Sequence, residues 1–235
     1  MPADLDFATG RAGVRSEQIF LRDVFAWMFA ALALSTGIAV WFHADHTFNQ
    51  TYFQDHEGLF LVAIFAQLGL VIAIQAAINR ISARTAAVLF FLYAGLTGVV
   101  FSVILTEFTA GTVVGAFAGA AGVFGGMALW GYTTQRDLSG WGGILFGALI
   151  GIVVASIVFL FIGGSTFNLI LGWGGVIIFS GLTAFQMQML KRQAQAGFGD
   201  GATAEKAAII GALRLYLSFV NLFISLLRIF GGGGR

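Results

Sequence analysis

Long apolar stretches separated by short polar gaps make up most of the chain. Seven stretches reach about twenty residues, the length that an α-helix needs to cross the roughly 30 Å hydrocarbon core of a bilayer. They are Val24–Phe42, Leu59–Ile78, Thr85–Leu105, Thr112–Trp130, Gly142–Ile162, Asn168–Leu190 and Ala207–Phe230. Because the gaps are too short for a further folded domain, the pattern predicts one all-α transmembrane bundle at 23–230. A cytoplasmic arm at 1–22 precedes it and a flexible tail at 231–235 follows it.

Polar residues follow a helical spacing inside the seventh stretch. Spacings of four, three, four and three separate Arg214, Ser218, Asn221, Ser225 and Arg228, which places them on one face of a helix. We call this row the polar seam. Such a row on an apolar helix turns toward other helices or toward a water-filled cavity. Arg214 itself either lines a cytoplasmic vestibule or snorkels to the membrane interface.

The basic residues indicate how the bundle is oriented. They precede the first stretch and occur in the second, fourth and sixth gaps, and the first, third and fifth gaps contain none. Lys and Arg are enriched in cytoplasmic loops, so the pattern predicts a multi-pass membrane protein with its N-terminus and its even gaps in the cytoplasm. A complete seventh crossing would leave Arg228 and Arg235 outside, so a partly inserted last segment is the alternative.

Glycines recur at helical spacing in the fourth and fifth stretches. Small residues in this arrangement let helix backbones approach closely in lipid, which favours static packing over a hinge surface. The two rows are Gly115, Gly119, Gly122 and Gly126, and Gly143, Gly147 and Gly151.

Composition narrows the function classes. The chain is 58% hydrophobic and only 10% charged, with a mean hydropathy of +0.90, whereas soluble domains carry about 25% charged residues. The absence of cysteine excludes disulfides and thiolate metal sites. A net charge of +1 gives no basis for a nucleic-acid partner. No phosphate-binding loop or intramembrane pair of catalytic His or Asp residues is present, so we expect neither an enzyme nor a cofactor.

All three histidines fall in the first outer gap, mixed with carboxylates. Imidazole and carboxylate groups are ligands for zinc and other divalent metals. The spacing matches no helical zinc motif, so a simple polar cap is the favoured interpretation and a metal site the alternative. The residues are His43, Asp45, His46, Asp55, His56 and Glu57.

Three segments together carry a family resemblance. They are WGYTTQRDLSGWG at Trp130–Gly142, GLTAFQMQMLK at Gly181–Lys191, and LYLSFVNLFISLLRIFG at Leu215–Gly231. In order, spacing and position they resemble the signatures YGYTTKRDLS, GLTAYDTQKIK and LYLDFINLFLxLLRIxG of the Bax inhibitor-1 family of membrane proteins. The resemblance runs through essentially the whole chain. It implies an all-α integral membrane protein of the bacterial inner (cytoplasmic) membrane, a seven-transmembrane-helix bundle whose last helix is central.

The resemblance also implies a function and its switch. Family members are associated with a pH-regulated calcium leak, and some bacterial relatives bind a membrane-embedded ATP-dependent protease. The pH sensor is a pair of aspartates on the sixth and seventh helices, and here the matching positions are Gln186 and Ser218. Neither side chain titrates near neutral pH, yet the two can hydrogen-bond. We therefore expect closed packing without the proton switch, and less negative charge to attract calcium.

Two functional hypotheses follow from this resemblance. In the first, a calcium or cation leak with lost or weakened pH gating follows the polar seam together with Ser180, Thr183 and Gln186 on the sixth helix. Arg80 is then a candidate latch near the sensor, or simply a cytoplasmic anchor. In the second, the chain is a non-conducting regulator that binds another membrane protein, such as that protease. Its contacts would be the arm before Arg22 and the Gly/Ala-rich loop Gln193–Lys206.

Overall fold

The computed structural model describes residues 3–44, 57–77 and 80–232, with side chains from Ser16 onward except at positions 57, 59 and 60. Every regular element in these ranges is helical, which confirms the all-α prediction. The α-helices are α1 (Ala3–Ala44), α2 (Glu57–Ala77), α3 (Ala83–Ile104), α4 (Ala110–Thr133), α5 (Gly142–Ile162), α6 (Ser165–Ala196) and α7 (Gly201–Gly232). Short 3₁₀ turns lie at Leu105–Glu107 and Ser139–Trp141.

Six of these helices are long and apolar enough to cross a membrane, by length and composition. They are all except α2, whose described apolar part, Leu61–Ala77, is shorter. The last helix, which contains Arg214, is among the six and is the most buried of them. A multi-pass membrane protein is therefore supported, while the count of seven crossings stays a prediction.

The chain divides into two compact units. The first consists of residues 1–107 with 197–213, and the second of residues 108–196 with 214–235. Helix α7 therefore contributes its first part to one unit and its remainder, from Arg214, to the other. The domain limits drawn from the sequence stay a prediction.

In the first unit, α1 and α3 pack at close range. A Cβ atom added to Gly98 would lie 2.6 Å from the backbone oxygen of Ser35, so only glycine fits there. The Ser35 hydroxyl is buried and donates to the carbonyl of Ala94 at 2.8 Å, which ties the two backbones together. On α2, Gln67 donates to the Leu96 carbonyl at 3.3 Å. These contacts satisfy the Ser35 hydroxyl and the Gln67 amide where α1 and α2 pack on α3.

The loop predicted at Gln193–Lys206 is much shorter than the sequence indicated. Helix α6 continues through Ala196 and α7 begins at Gly201, so only residues 197–200 are non-helical. Gly197, at φ +78°, adopts the left-handed conformation that ends a helix. Asp200 then caps α7, because its Oδ1 accepts the backbone N–H of Thr203 at 2.6 Å. The prediction was wrong because Ala, Gln, Glu and Lys are strong helix formers despite their polarity.

The glycine rows predicted to pack are only partly in contact. On α4, positions 115 and 119 face Phe230, and a Cβ on Gly119 would lie 3.3 Å from Leu226. At positions 122 and 126, and along the whole row on α5, no described atom lies within 4 Å of an added Cβ. The row on α5 therefore does not support packing within the described part of the chain.

Candidate functional site

The two positions expected to replace the family's aspartates meet in the second unit. The Ser218 hydroxyl on α7 donates to Oε1 of Gln186 on α6 at 2.9 Å. Ser218 is only 2% exposed and Gln186 is half-buried. The amide–hydroxyl hydrogen bond expected from the sequence is thus present, and it links the two helices through uncharged groups.

The antiparallel helices α6 and α7 are also in close contact nearer the start of α6 and the end of α7. The Ser225 side chain lies against Gly175, where no Cβ could fit. A Cβ added to Gly172 would lie 2.8 Å from Cγ1 of Ile229. A contact too tight for a methyl group has no room for a water molecule. The two helices are therefore closed against each other at this level.

Three further polar side chains of the predicted pathway bond within their own helices. The Thr183 hydroxyl, fully buried, donates to the Phe179 carbonyl at 2.7 Å. On α7, Asn221 donates to the Leu217 carbonyl at 2.8 Å and Ser225 to the Asn221 carbonyl at 2.7 Å. Such bonds to the carbonyl four residues earlier satisfy hydroxyl and amide groups without water. Ser180 is half-buried on α6. The structure thus holds the polar seam in a closed arrangement.

Two arginines lie on either side of the pair along α7. Arg214 is exposed and stands one turn before Ser218. Arg228 is half-buried, with its guanidinium carbon 5.6 Å from the ring centroid of Phe159 on α5. Within the described residues, neither guanidinium has a carboxylate partner. Arg80 lies in the first unit, exposed in the turn between α2 and α3, and its role as a latch stays a prediction.

Sequence reasoning missed a second polar cluster, where the α4–α5 loop, residues 134–138, docks on α6. Gln188 is 5% exposed and both ends of its amide are bonded. Its Oε1 accepts the backbone N–H of Leu138, and its Nε2 donates to the carbonyl of Arg136, each at 2.8 Å. Gly131 permits this docking, because a Cβ there would collide with the backbone of Ala184.

Charged side chains at the end of α6 complete this docking. Lys191 donates to the Tyr132 carbonyl at 2.9 Å and lies 4.7 Å from the centroid of the same tyrosine's ring. Arg192 pairs with Asp137 at 2.7 Å and also donates to Ser139. Hydrogen bonds from the Ser139 backbone and hydroxyl, followed by the Arg192 contact, lower the pKa of Asp137 to about 2. Two of the segments that carry the resemblance are therefore each other's packing partners.

The histidine-rich gap lies almost wholly outside the described residues. Of its candidate ligands, only His43 has a described side chain, exposed in the last turn of α1. Asp45, His46, Asp55 and His56 fall outside the described ranges, and so does the side chain of Glu57. The residues that are described contain no group of three or more His, Cys, Asp or Glu placed to hold a metal.

Comparison with known proteins identifies the family. The family model for the inhibitor of apoptosis-promoting Bax1, which represents the Bax inhibitor-1 family, matches residues 17–235. The chain belongs to this family. The inner membrane protein YbhL of Escherichia coli K12 is 42% identical over 222 residues, covering 94% of this chain and 93% of YbhL. An uncharacterized protein of Deinococcus radiodurans is 41% identical over 210 residues, covering 89% of each chain. One of Borreliella burgdorferi is 37% identical over 227 residues, covering 97% of each.

The chain is therefore a membrane protein of the Bax inhibitor-1 family. In it, Ser218 on α7 is hydrogen-bonded to Gln186 on α6. Their equivalence to the sensor aspartates of other members stays a prediction.

Proposed function

We propose that this Bax inhibitor-1 family protein is an ion-leak protein of the cytoplasmic membrane whose α6–α7 pathway is not gated by protons. Calcium or another cation is the ion that the family resemblance implies. The observation that carries the proposal is the hydrogen bond between Ser218 and Gln186, which joins the two helices without a titratable group.

The physical reason lies in the chemistry of the pair. Two adjacent carboxylates cannot both ionise cheaply, so a pair of aspartates would share a proton and release it near neutral pH. A hydroxyl and an amide keep the same charge between about pH 6 and 8. Opening the pathway then requires α6 to separate from α7 at Gly175 and Ser225, and pH does not drive that step.

Ion flux into liposomes tests this proposal. The purified protein is reconstituted and calcium flux is measured at pH 6 and pH 8, beside the double variant Gln186→Asp with Ser218→Asp. We expect a weak flux of equal size at both pH values for the parent, and a pH-dependent flux for the double variant. Gln193→Asp, which adds a carboxylate at an exposed position of α6, is the matched control and should stay insensitive to pH.

A clear proton-dependent flux from the parent protein would show that the gating argument is wrong. Silence of the parent together with a pH-dependent leak in the double variant would show that the fold keeps a pathway which this member has closed. That second result would favour the alternative function.

The alternative is a non-conducting regulator that binds another membrane protein, such as a membrane-embedded ATP-dependent protease. The closed contact at Gly175 and the internally bonded seam favour it, because a regulator needs no open path. The contact surfaces would be the arm before Arg22 and the segment Gln193–Lys206. Since that segment is largely helical, the test replaces its exposed residues Gln193 and Glu205 and truncates the arm. Capture of the protease that survives both changes would count against these surfaces.

A further inference from the structure

We infer that Arg214 binds the phosphate group of an anionic phospholipid, with phosphatidylglycerol as the representative. Such a lipid site goes beyond the proposed function, because it does not require that ions pass through the protein. The observations that carry it are the exposure of this side chain on an otherwise enclosed helix and the lack of a carboxylate that pairs with it in the described part of the chain.

Arg214 is exposed on a segment of α7 that is otherwise enclosed. Between Ala208 and Phe223, every other residue of the helix is buried or half-buried. Its two neighbours in the chain, Leu213 and Leu215, are 2% exposed or less. The arginine side chain therefore leaves the packed interior at a single point of this segment, where a ligand can reach it.

The position of Arg214 in the last apolar stretch brings its charged group within reach of the lipid headgroups. The stretch begins at Ala207, so the Cα atom of Arg214 is about 10 Å inside it. Cα–Cβ bonds tilt toward the N-terminus of a helix, which for α7 is the polar end with Glu205 and Lys206. Long arginine side chains extend toward the membrane interface in this way, so the guanidinium approaches the level of the phosphates.

The described residues contain no carboxylate that pairs with Arg214. The second unit contains six Lys and Arg residues and one acidic residue, a formal net charge of +5. That acidic residue, Asp137, is paired with Arg192 at 2.7 Å. The nearest acidic residue along α7 is Glu205, nine residues earlier, which at about 100° per residue lies on the opposite side of the helix. The positive charge of Arg214 is therefore available to an anion from outside the chain.

A phospholipid phosphate matches this side chain in chemistry and in position. The guanidinium N–H groups form a planar fork that can bond two phosphate oxygens at once, and no hydrogen bond to a described residue occupies the fork of Arg214. Anionic lipids attract basic residues near the membrane surface, whereas a carboxylate would have to come from a second protein. A bound phosphate would also neutralise the positive charge one turn before Ser218, so a cation in the pathway proposed above would not be repelled there.

Lipid titration of the purified full-length protein, followed by native mass spectrometry, tests the inference. Phosphatidylglycerol is compared with phosphatidylcholine, whose own cation competes with the arginine for the phosphate. The variants are Arg214→Gln, Arg214→Lys and the control Arg84→Gln, which removes an exposed arginine from the first unit.

We expect the parent protein to bind phosphatidylglycerol at least about tenfold more tightly than phosphatidylcholine, the factor that a hydrogen bond to a charged group contributes. Arg214→Gln should lose that preference. Arg214→Lys should keep part of it, because an ammonium group attracts phosphate without the two-pronged geometry, and Arg84→Gln should keep all of it.

A second measurement distinguishes a lipid from a free anion. Melting temperatures are recorded in an uncharged detergent with either phosphatidylglycerol or inorganic phosphate. We expect the lipid to raise the melting temperature of the parent but not that of Arg214→Gln, because a ligand stabilises only a folded form that binds it. Equal stabilisation of the parent by inorganic phosphate would overturn the lipid as the occupant of the site.

The outcomes for the variants decide whether this position is the site. An unchanged lipid preference in Arg214→Gln overturns it and leaves the guanidinium to a carboxylate of a partner protein. An equal loss in Arg84→Gln also overturns it, because the attraction is then to basic charge in general. Complete loss in Arg214→Lys would show that the positive charge is not what binds the lipid. None of these measurements involves ion flux, so failure of the lipid site and failure of the leak are distinguishable.

Discussion

Replacing Gln188 with methionine tests the docking of the α4–α5 loop on α6. The Gln188 side chain is 5% exposed and bonds the backbone N–H of Leu138 and the carbonyl of Arg136, both at 2.8 Å. Methionine keeps a similar length and unbranched shape but makes neither hydrogen bond. The substitution therefore removes the two bonds while leaving the packing nearly unchanged.

The expected size of the effect follows from burial. Leu138 is 7% exposed, so its N–H would gain no water partner once the amide is gone. An unsatisfied buried donor costs about 1–3 kcal/mol, and the second hydrogen bond adds about 0.5–1.5 kcal/mol. A loss of about 1.5–4.5 kcal/mol from the docked state raises the opening equilibrium of the loop roughly tenfold to about two-thousandfold.

Hydrogen exchange measured by mass spectrometry provides the assay. In detergent, the peptide covering residues 134–139 should exchange faster in Gln188→Met by that factor, because exchange of a protected amide follows local opening. Gln193→Met is the matched control, since Gln193 is exposed on the same helix and bonds no described residue. If the Leu138 amide exchanged within about threefold of the parent rate in Gln188→Met, the docking argument would be refuted.

Two further predictions concern stability measured by thermal melting in detergent. Gly98→Ala should destabilise the first unit by about 1–3 kcal/mol, because its Cβ would lie 2.6 Å from the Ser35 oxygen. The control is Gly37→Ala, whose added Cβ would have no atom within 4 Å and should leave the melting temperature unchanged or raise it. Equal melting temperatures of the two variants would contradict the close approach of Gly98 to Ser35. Asp137→Asn should lower the melting temperature at pH 7. Because folding lowers the pKa of Asp137 from 3.8 to about 2, its contribution is complete only above about pH 5 and is lost progressively as the pH falls through 3.8 toward 2. The difference between the parent and the Asn variant should therefore shrink over that range, and a difference independent of pH would show that folding does not stabilise the ionised Asp137 carboxylate through Ser139 and Arg192.

The sequence alone was enough to predict the class of the protein and its most unusual residues. Apolar runs of helical length are a local property, so a window of about twenty residues contains all the information needed to predict a transmembrane helix. The identities of Gln186 and Ser218 were likewise enough to predict an uncharged pair, because neither side chain titrates near neutral pH. Their hydrogen bond required only that α6 and α7 place the two residues face to face.

Tertiary structure decided which of the segments with these local patterns pack against another helix. Small residues at positions 143, 147 and 151 matched a packing motif, yet the tight contact formed instead between Gly175 and Ser225. The polar segment after Gln193 resembled a loop, but helix propensity and the caps at Gly197 and Asp200 reduced it to four residues.

The contact of Gln188 with Leu138 shows why such details escaped prediction. The two residues lie 50 positions apart, and their hydrogen bond depends on how α4 and α6 align in register. Hydropathy and spacing describe each helix separately, so they carry no information about how two helices align with each other. The same holds for charge: the sequence gives a net value of +1, whereas only the folded arrangement assigns +5 to the unit that contains the Ser218–Gln186 pair. Composition and periodicity therefore predicted the apolar helices, and packing between distant segments determined what each side chain can do.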